Sequence, residues 1–389
     1  MDTAIPALEA KLSAAGCQQP ARAAKTLEQL GGAPETRGSL EALLPSLLTA
    51  LRRVPDPDLA LNNLDRFSRA VLDRRFLFGL LRDHPPVLHL VLTILGSSQF
   101  LGNLLIRQPQ LFEWLLEPGM IRQPKRRADL FEEAAAALVR RPGLAQQWAA
   151  LRRFKSREIL RIGIQDLVGR QTLVGITEEL SNLADAVLET ACRLCRQELS
   201  RRHGPPQLPG PPPRECRFVI MGMGKLGGGE LNFSSDIDPI FVYEGEGETA
   251  GVAGAEGGPT GRLSNQEFFR KLGEMLVRGL SEVSADGNLY RVDLRLRPEG
   301  RSGAIASSLA SCEAYYEGWG QTWERQALIK ARPVAGDLEL GEAFLRMVRP
   351  FVYRQSLDYT ALDEIRAMKS RIGVAAAEGG ERRNVKLGY

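Results

Sequence analysis

The sequence predicts an α+β protein, a bundle of helices followed by a small mixed core. Three observations predict it. From Leu59 to Gly204 apolar residues recur at spacings of three and four, with helix-ending punctuation at Asp83-His-Pro-Pro86, Gln108-Pro109, Glu117-Pro-Gly119 and Arg141-Pro-Gly143. Beyond Gly204 the period changes, to an apolar run at Phe218–Met221 and an alternating stretch at Leu289–Arg297. Between the two regimes lies Gly204-Pro-Pro-Gln-Leu-Pro-Gly-Pro-Pro-Pro213, whose prolines read as a stiff extended linker.

In chain order, residues 1–55 read as helices broken by Gly31-Gly32 and Pro34. The helical region extends over 1–204, the linker over 205–213, the core over 214–333, and a second helical region over 334–389. Inside the core, Gly245–Gly261 is rich in Gly, Glu and Ala and reads as a mobile loop between a hairpin and a helix. That helix is expected over Ser264–Ser284. Ser264 and Glu267 form an S-x-x-E capping box, and Phe269, Leu272, Leu276, Leu280 and Val283 make its apolar stripe.

The segment Gly222-Met-Gly-Lys-Leu-Gly-Gly-Gly-Glu-Leu-Asn-Phe-Ser-Ser-Asp236-Ile-Asp238 carries most of the functional information, and it has two readings. Gly222, Gly224 and Gly227 spell G-x-G-x-x-G after an apolar run, with Glu244 about 20 residues on, as in a dinucleotide fold. That fold needs an amphipathic crossover helix between its strands. Gly227–Ser235 supplies three glycines, an Asn and two serines instead, enough for a turn or one frayed helical turn. The next strand, Ile237–Tyr243, follows as a hairpin would.

The second reading starts from Asp236 and Asp238, which point to one face of a strand. In Leu289-Tyr-Arg-Val-Asp293-Leu-Arg-Leu-Arg297, Tyr290, Val292, Leu294 and Leu296 fall on one face, and Arg291, Asp293, Arg295 and Arg297 on the other. Alone, this is an ordinary half-buried strand. Beside Asp236 and Asp238 it supplies a third carboxylate. Three carboxylates in one cleft repel unless a cation joins them, and Mg²⁺ takes hard oxygens.

The phosphate candidates are Gly227 and Gly228 by backbone approach, Ser235, Lys225, Arg295 and Arg297. Each has a bland alternative: a turn hydrogen bond for Ser235, an idle exposed ammonium for Lys225. Pro239 offers no ladder hydrogen bond, so its strand is expected to be an edge there or to carry a bulge. The order glycine turn, D-x-D strand, helix, Asp strand resembles the minimal core of polymerase-β-type nucleotidyltransferases.

Composition narrows the alternatives. A net charge of +4 does not by itself imply a nucleic-acid partner. The basic runs Lys125-Arg-Arg127 and Arg152-Arg-Phe-Lys-Ser-Arg157 read as solvated helix faces. Val87–Leu95 is too short to span a membrane, and residues 1–30 lack a signal-peptide pattern. Five cysteines without a framework fit a reducing cytoplasm; Cys192 and Cys195 read as small core residues of a helix. Three histidines without metal or nucleophile spacing give no histidine chemistry.

Longer motifs carry a closer resemblance. Met223–Asp238, Arg291-Val-Asp-Leu-Arg-Leu-Arg-Pro298 and Trp323-Glu-Arg-Gln-Ala-Leu-Ile-Lys-Ala-Arg332 resemble the bifunctional glutamine synthetase adenylyltransferase/adenylyl-removing enzymes. Leu105-Ile-Arg-Gln-Pro109 and Leu151–Arg161 look like that family's N-terminal region. The resemblance covers most of residues 60–389. The family carries two nucleotidyltransferase domains, and Asn232-Phe-Ser-Ser is similar to the N-terminal, adenylyl-removing copy. It departs at Pro239, where leucine is expected, and at Tyr389, where the family continues; the C-terminal helical region is expected to be truncated.

The resemblance implies Mg²⁺ held by Asp236, Asp238 and Asp293. It also implies adenylylated glutamine synthetase as substrate, phosphate as nucleophile, ADP as product and a PII-type signal protein as partner. Three alternatives stay open: adenylyl transfer from ATP, an RNA-end substrate, and a non-catalytic fragment binding nucleotide or PII. Roles for Glu324, Arg325, Lys330 and Arg332 do not follow from spacing.

Overall fold

A computed structural model describes residues 4–32, 34–117, 123–253 and 258–353, with a few isolated residues beyond. It is a mixed α+β structure, mostly helical with small sheets. The chain divides into two compact units, Met1–Leu183 with Val283–Gly287, and Ala184–Glu282 with Asn288–Tyr389. The division falls inside the helix Leu173–His203 rather than at the proline stretch.

The first unit is helical, as its period predicts. Helices begin where proline sits at the first position, at Pro20–Leu30, Pro57–Ala70 and Pro85–Ser97. Side-chain caps start others: Asp56 accepts from Leu59 N at 2.8 Å and Asp73 from Phe76 N at 3.0 Å. Leu30, Leu43, Leu47, Phe67 and Phe78 form a dry core.

One expectation fails here. The basic runs are not merely solvated faces, because they feed a buried ion network. Arg161, fully buried, donates to Glu158 at 2.7 Å and Glu179 at 2.5 Å. Lys125 reaches Glu158 at 2.9 Å and Glu133 at 2.6 Å, and Arg157 reaches the same two carboxylates. Glu158 stays ionised: burial opposes the charge, and the neighbouring Arg161 and Lys125 overcome it, holding the carboxyl below its ordinary range.

The second unit is built on a four-stranded sheet. Its strands are β1 (Phe218–Met223), β2 (Asp238–Tyr243), β3 (Ala306–Ser308) and β4 (Arg332–Gly336), in the order β3-β2-β1-β4. β1 pairs antiparallel with β2 and β4, while β2 pairs parallel with β3. An antiparallel β1–β2 pair excludes the dinucleotide fold, whose first two strands are parallel.

Both faces of β1 are covered, which is why it reads as an unbroken apolar run. Phe218 stacks on Phe269 at 5.3 Å, and Tyr243 on Phe269 at 4.9 Å, bringing up the helix Asn265–Ser281. Val219, Met221 and Met223 pack on the other side with Cys312, Tyr316, Leu340 and Phe344 from two later helices. Ser264 Oγ caps the first helix by accepting from Glu267 N at 3.1 Å. The Glu267 carboxylate turns to Arg270 and Lys271 instead of closing the box. Val283 lies beyond the helix end and is exposed, so it leaves the expected stripe.

The proline stretch corrects a second expectation. Pro206–Leu208 is a strand, paired with Arg214–Glu215 and with Glu248–Thr249, so part of it is sheet rather than linker. Within Gly245–Gly261, Glu248–Thr249 therefore pairs too, and Val252–Ala253 pairs with Pro259–Thr260. All five cysteines are buried free thiols, including Cys192 and Cys195 in their helix. Among the described residues no single helix is long and apolar enough to cross a membrane. Of the expected C-terminal helices, Leu338–Val352 is present; most of the remainder lies outside the described residues.

Candidate active site

The site is set by the register around Ile237. Ile237 N donates to Arg291 O at 3.0 Å, and Asp293 N donates to Ile237 O at 2.9 Å, a parallel bridge that pairs Ile237 with Val292. Residues flanking a bridged pair point to the face opposite the pair. Asp236, Asp238, Arg291 and Asp293 therefore share one face, although more than 50 residues separate the two segments.

Pro239 explains how the strand tolerates this arrangement. It pairs with Gly222 on the β1 side. On the other side β2 meets Val292 at Ile237 and β3 only from Phe241 onward. Alternate backbone nitrogens of a strand face the same edge, so the proline's missing donor falls in the gap between these two short pairings. The expected edge is present locally.

A single helical turn, Gly224–Gly227, sits just before the expected turn at Gly227–Ser235, which carries turns and no further helix. Gly224 has φ +55°, and a Cβ there would lie 2.9 Å from Asp238 Oδ2. Only glycine lets the Asp238 carboxylate sit against the turn. Gly227 is required for a different reason from phosphate approach: its Cβ would meet Lys330 O at 2.1 Å and Gly222 O at 2.5 Å. Gly228 is exposed. Ser235 takes the bland option, with its hydroxyl on Asn232 Oδ1. Lys225 is half-buried and its ammonium makes no ion pair among the described residues.

The third acidic segment departs from the sequence reading. Leu289–Arg297 is not a strand; Val292 alone bridges, and the chain turns from Arg295 onward. Arg297 consequently leaves the face of Asp293. Its guanidinium donates to Gly303 O at 3.0 Å, Leu294 O at 3.1 Å and Arg301 O at 3.1 Å, holding the loop. Arg295 stays with Asp293, its Nε lying 2.9 and 2.8 Å from the two carboxylate oxygens. Arg291, which was not among the phosphate candidates, pairs with Asp236 and donates to Ser234 O at 2.7 Å.

Electrostatically this is a cluster of acids interleaved with arginines. The hydrogen bond from Arg295 holds the Asp293 carboxyl below its usual range, and burial opposes that only in part. Asp293 in turn raises Arg295, with Asp238 and Asp236 adding to the effect. Arg295 thus lies in the field of all three acids. The carboxylates are turned to these guanidiniums, and no group of three or more acidic, His or Cys side chains is gathered at metal-binding distance among the described residues. The donor set itself, hard oxygens on one open face beside a glycine, suits a divalent cation.

The segment with unassigned roles proves to be scaffold. Arg332 clamps the buried Asp185 at 2.6 Å and the turn carbonyl of Leu226 at 3.0 Å. Glu324 is buried, accepts from Gln321 N at 2.8 Å to cap its helix, and accepts from Tyr315 Oη at 3.1 Å. Arg325 lies 4.9 Å over the Phe351 ring, and Lys330 pairs with Glu230. Apart from the local Gln321–Glu324 cap, spacing gave no signal for these contacts, because they join segments apart in the chain.

A profile of glutamate-ammonia ligase adenylyltransferase matches residues 88–347. Three curated relatives are named bifunctional glutamine synthetase adenylyltransferase/adenylyl-removing enzyme. The Pseudomonas aeruginosa protein is 40% identical over 303 residues, covering 76% of this chain and 29% of the relative. The Thioalkalivibrio sulfidiphilus protein is 39% identical over 310 residues, covering 80% and 31%. The Nitrosococcus oceani protein is 37% identical over 329 residues, covering 84% and 33%. The chain thus spans about a third of the length of these relatives, and by the extent of the match it belongs to the glutamate-ammonia ligase adenylyltransferase family.

Proposed function

We propose that this chain is a Mg²⁺-dependent nucleotidyltransferase of the polymerase-β type. Its reaction is phosphorolytic removal of AMP from a tyrosine of glutamine synthetase. One observation carries the reading: the Ile237–Val292 bridge directs Asp236, Asp238 and Asp293 to one face, with Gly224 making room for Asp238. The relatives' printed names supply the substrate. Five buried free thiols accord with a reducing cytoplasm. A PII-type partner remains part of the proposal through the family resemblance alone.

Asp236, Asp238 and Asp293 would hold the cation. When bound, it supplies positive charge to the oxygens of the phosphorus under attack. The protein's own residues do the rest. An oxygen of hydrogenphosphate bonds to the AMP phosphorus, the bond from phosphorus to the tyrosine oxygen breaks, and the proton given up by phosphate returns to the phenolate. ADP leaves and the tyrosine hydroxyl is restored. Arg291 and Arg295 neutralise the acids in the structure; once relieved of that task they are the guanidiniums nearest the site to bind phosphate oxygens. Lys225, half-buried in the glycine turn and without an ion pair among the described residues, is a further phosphate contact.

The similarity of Asn232-Phe-Ser-Ser to the adenylyl-removing copy supports phosphorolysis over transfer from ATP. Transfer requires a base to take the tyrosine proton, and Asp293 is the nearest candidate in sequence. As a ligand of the proposed cation, Asp293 is not free to take that proton. Phosphate arrives already anionic. The test incubates the chain with adenylylated glutamine synthetase, phosphate and Mg²⁺, measures ADP, and compares it with label transfer from ATP to unmodified enzyme. Faster transfer from ATP, with phosphate inert, overturns the direction; retention of an RNA end in its place overturns the substrate.

A further inference from the structure

The helical unit contains a cleft of about 630 Å³ that the proposed reaction does not use. Its volume is in the range that holds one small organic ligand, about 300–1,000 Å³. Two of its lining residues present buried polar atoms with no hydrogen-bond partner among the described residues, Gln108 Oε1 and Trp114 Nε1. Gln108 is 2% exposed. Its Nε2 donates to Asp286 O at 2.9 Å and to Ser156 Oγ at 3.0 Å. A carbonyl only accepts, so the amide orientation is fixed and Oε1 is left as an acceptor without a donor. The indole Nε1 of Trp114 is a donor only. Buried polar groups are normally satisfied, so this pair asks for a ligand that both donates and accepts.

The rest of the lining specifies that ligand further. Trp114 and Phe154 offer aromatic surface, with the Arg157 guanidinium 5.8 and 5.7 Å from their rings. Arg141 is exposed and has no ion pair among the described residues. Arg153 is half-exposed and held by Asp286 at 3.2 Å. A flat, hydrogen-bonding body with an anionic end matches all three features. Nucleobase edges carry donors and acceptors side by side, and phosphate suits a guanidinium.

We propose that this cleft binds a nucleoside monophosphate. The base lies against Phe154, with its edge on Gln108 Oε1 and Trp114 Nε1, and the phosphate meets Arg141 and Arg153. The site lies wholly in the helical unit and has no carboxylate cluster, so binding needs no divalent cation.

The experiment uses the full chain in EDTA. Photolabelling with 8-azido-AMP, followed by peptide mapping, reads where the nucleotide sits. Saturable labels within residues 108–157 are expected, with AMP competing better than adenosine or inorganic phosphate. Arg141→Glu and Trp114→Phe are each expected to weaken labelling roughly tenfold or more. Should Trp114→Phe fail to fold, the exposed Arg141→Glu decides alone. Labels confined to residues 222–297, phosphate competing as well as AMP, or labelling unchanged by Arg141→Glu each overturn the proposal.

Discussion

The molecule holds two clusters of arginine and carboxylate that differ in burial, and the difference separates structure from chemistry. In the helical unit Arg161 is fully buried between Glu158 and Glu179, both nearly without solvent contact. In the second unit Arg291 and Arg295 pair with Asp236 and Asp293, but the two arginine side chains are 67% and 63% exposed. A buried pair that loses one partner leaves a charge in low dielectric, and its loss is strongly destabilising. An exposed pair has water as an alternative partner and contributes little. The first cluster is therefore fixed, while the second can exchange its partners, as the proposed binding of a cation and a phosphate requires.

The sharpest way to break this comparison is to remove one arginine from each side. Arg161→Ala is expected to cost about 3–5 kcal/mol of stability, because Glu158 and Glu179 stay buried without it. Arg295→Ala is expected to cost less than about 1 kcal/mol. Chemical denaturation of the full chain measures both. Equal losses would mean that burial does not distinguish the clusters.

Activity should show the reverse order. Asp236→Asn and Asp238→Asn each remove one charge from the proposed cation site, and turnover should fall on the order of 10³-fold. Their thermal stability should stay close to that of the parent, since Asp236 is exposed and Asp238 half-buried. ADP release from adenylylated glutamine synthetase is the readout. Near-normal turnover in both variants would remove the acids from the mechanism.

A smaller effect isolates the glycine that shapes the site. Gly224 and Gly229 both have positive φ, +55° and +68°. A Cβ at Gly229 meets open space, whereas at Gly224 it lies 2.9 Å from Asp238 Oδ2. Alanine at either position carries backbone strain of about 1–2 kcal/mol. Only Gly224→Ala should also move the Asp238 carboxylate, so turnover should drop there by about tenfold or more beyond any change in Gly229→Ala. Parallel losses in the two variants would show strain alone.

How legible this was depended on whether the determining contact was local. The D-x-D spacing fixed a shared face for Asp236 and Asp238 because a strand alternates regardless of its surroundings. The Ser264 cap and the stripe of the following helix were legible for the same reason, up to Val283, where the helix had already ended. Alternation misled at Leu289–Arg297. A single bridged residue looks the same in sequence as a full strand when the turn that follows it lacks an early glycine or proline, and here those arrive only at Pro298 and Gly300. Arg332 was opaque because its partners, Asp185 and the Leu226 carbonyl, are distant in the chain, and Arg297 because its partners are the carbonyls of an irregular loop. Proline at Pro206 argued for a linker, yet the first residue of a strand tolerates it, here even in the middle strand of a small sheet. The basic runs hid their buried partners, since Glu158 and Glu179 read from sequence as further charges on solvated helices.

The smallest expected effect tests whether Arg295 rests on Asp293 in solution. The Asp293 carboxyl is held below its ordinary range, first by the Arg295 hydrogen bond and with burial opposing. A depressed carboxyl stabilises the fold fully above its unfolded value of about 3.9, and that stability is lost as pH falls through the lower folded value. Because the Arg295 side chain is 63% exposed, solvent screening keeps the amount below about 1 kcal/mol. Arg295→Gln should return the Asp293 titration toward the ordinary range and flatten this part of the stability curve on the acid side. Carbon-13 NMR titration of the aspartate carboxyls, in metal-free protein, follows the midpoint directly. An unmoved midpoint would mean that the pair does not form in solution. Arg295 would then stand ready for phosphate without first being displaced, and the exchange of partners would rest on Arg291 and Asp236 alone.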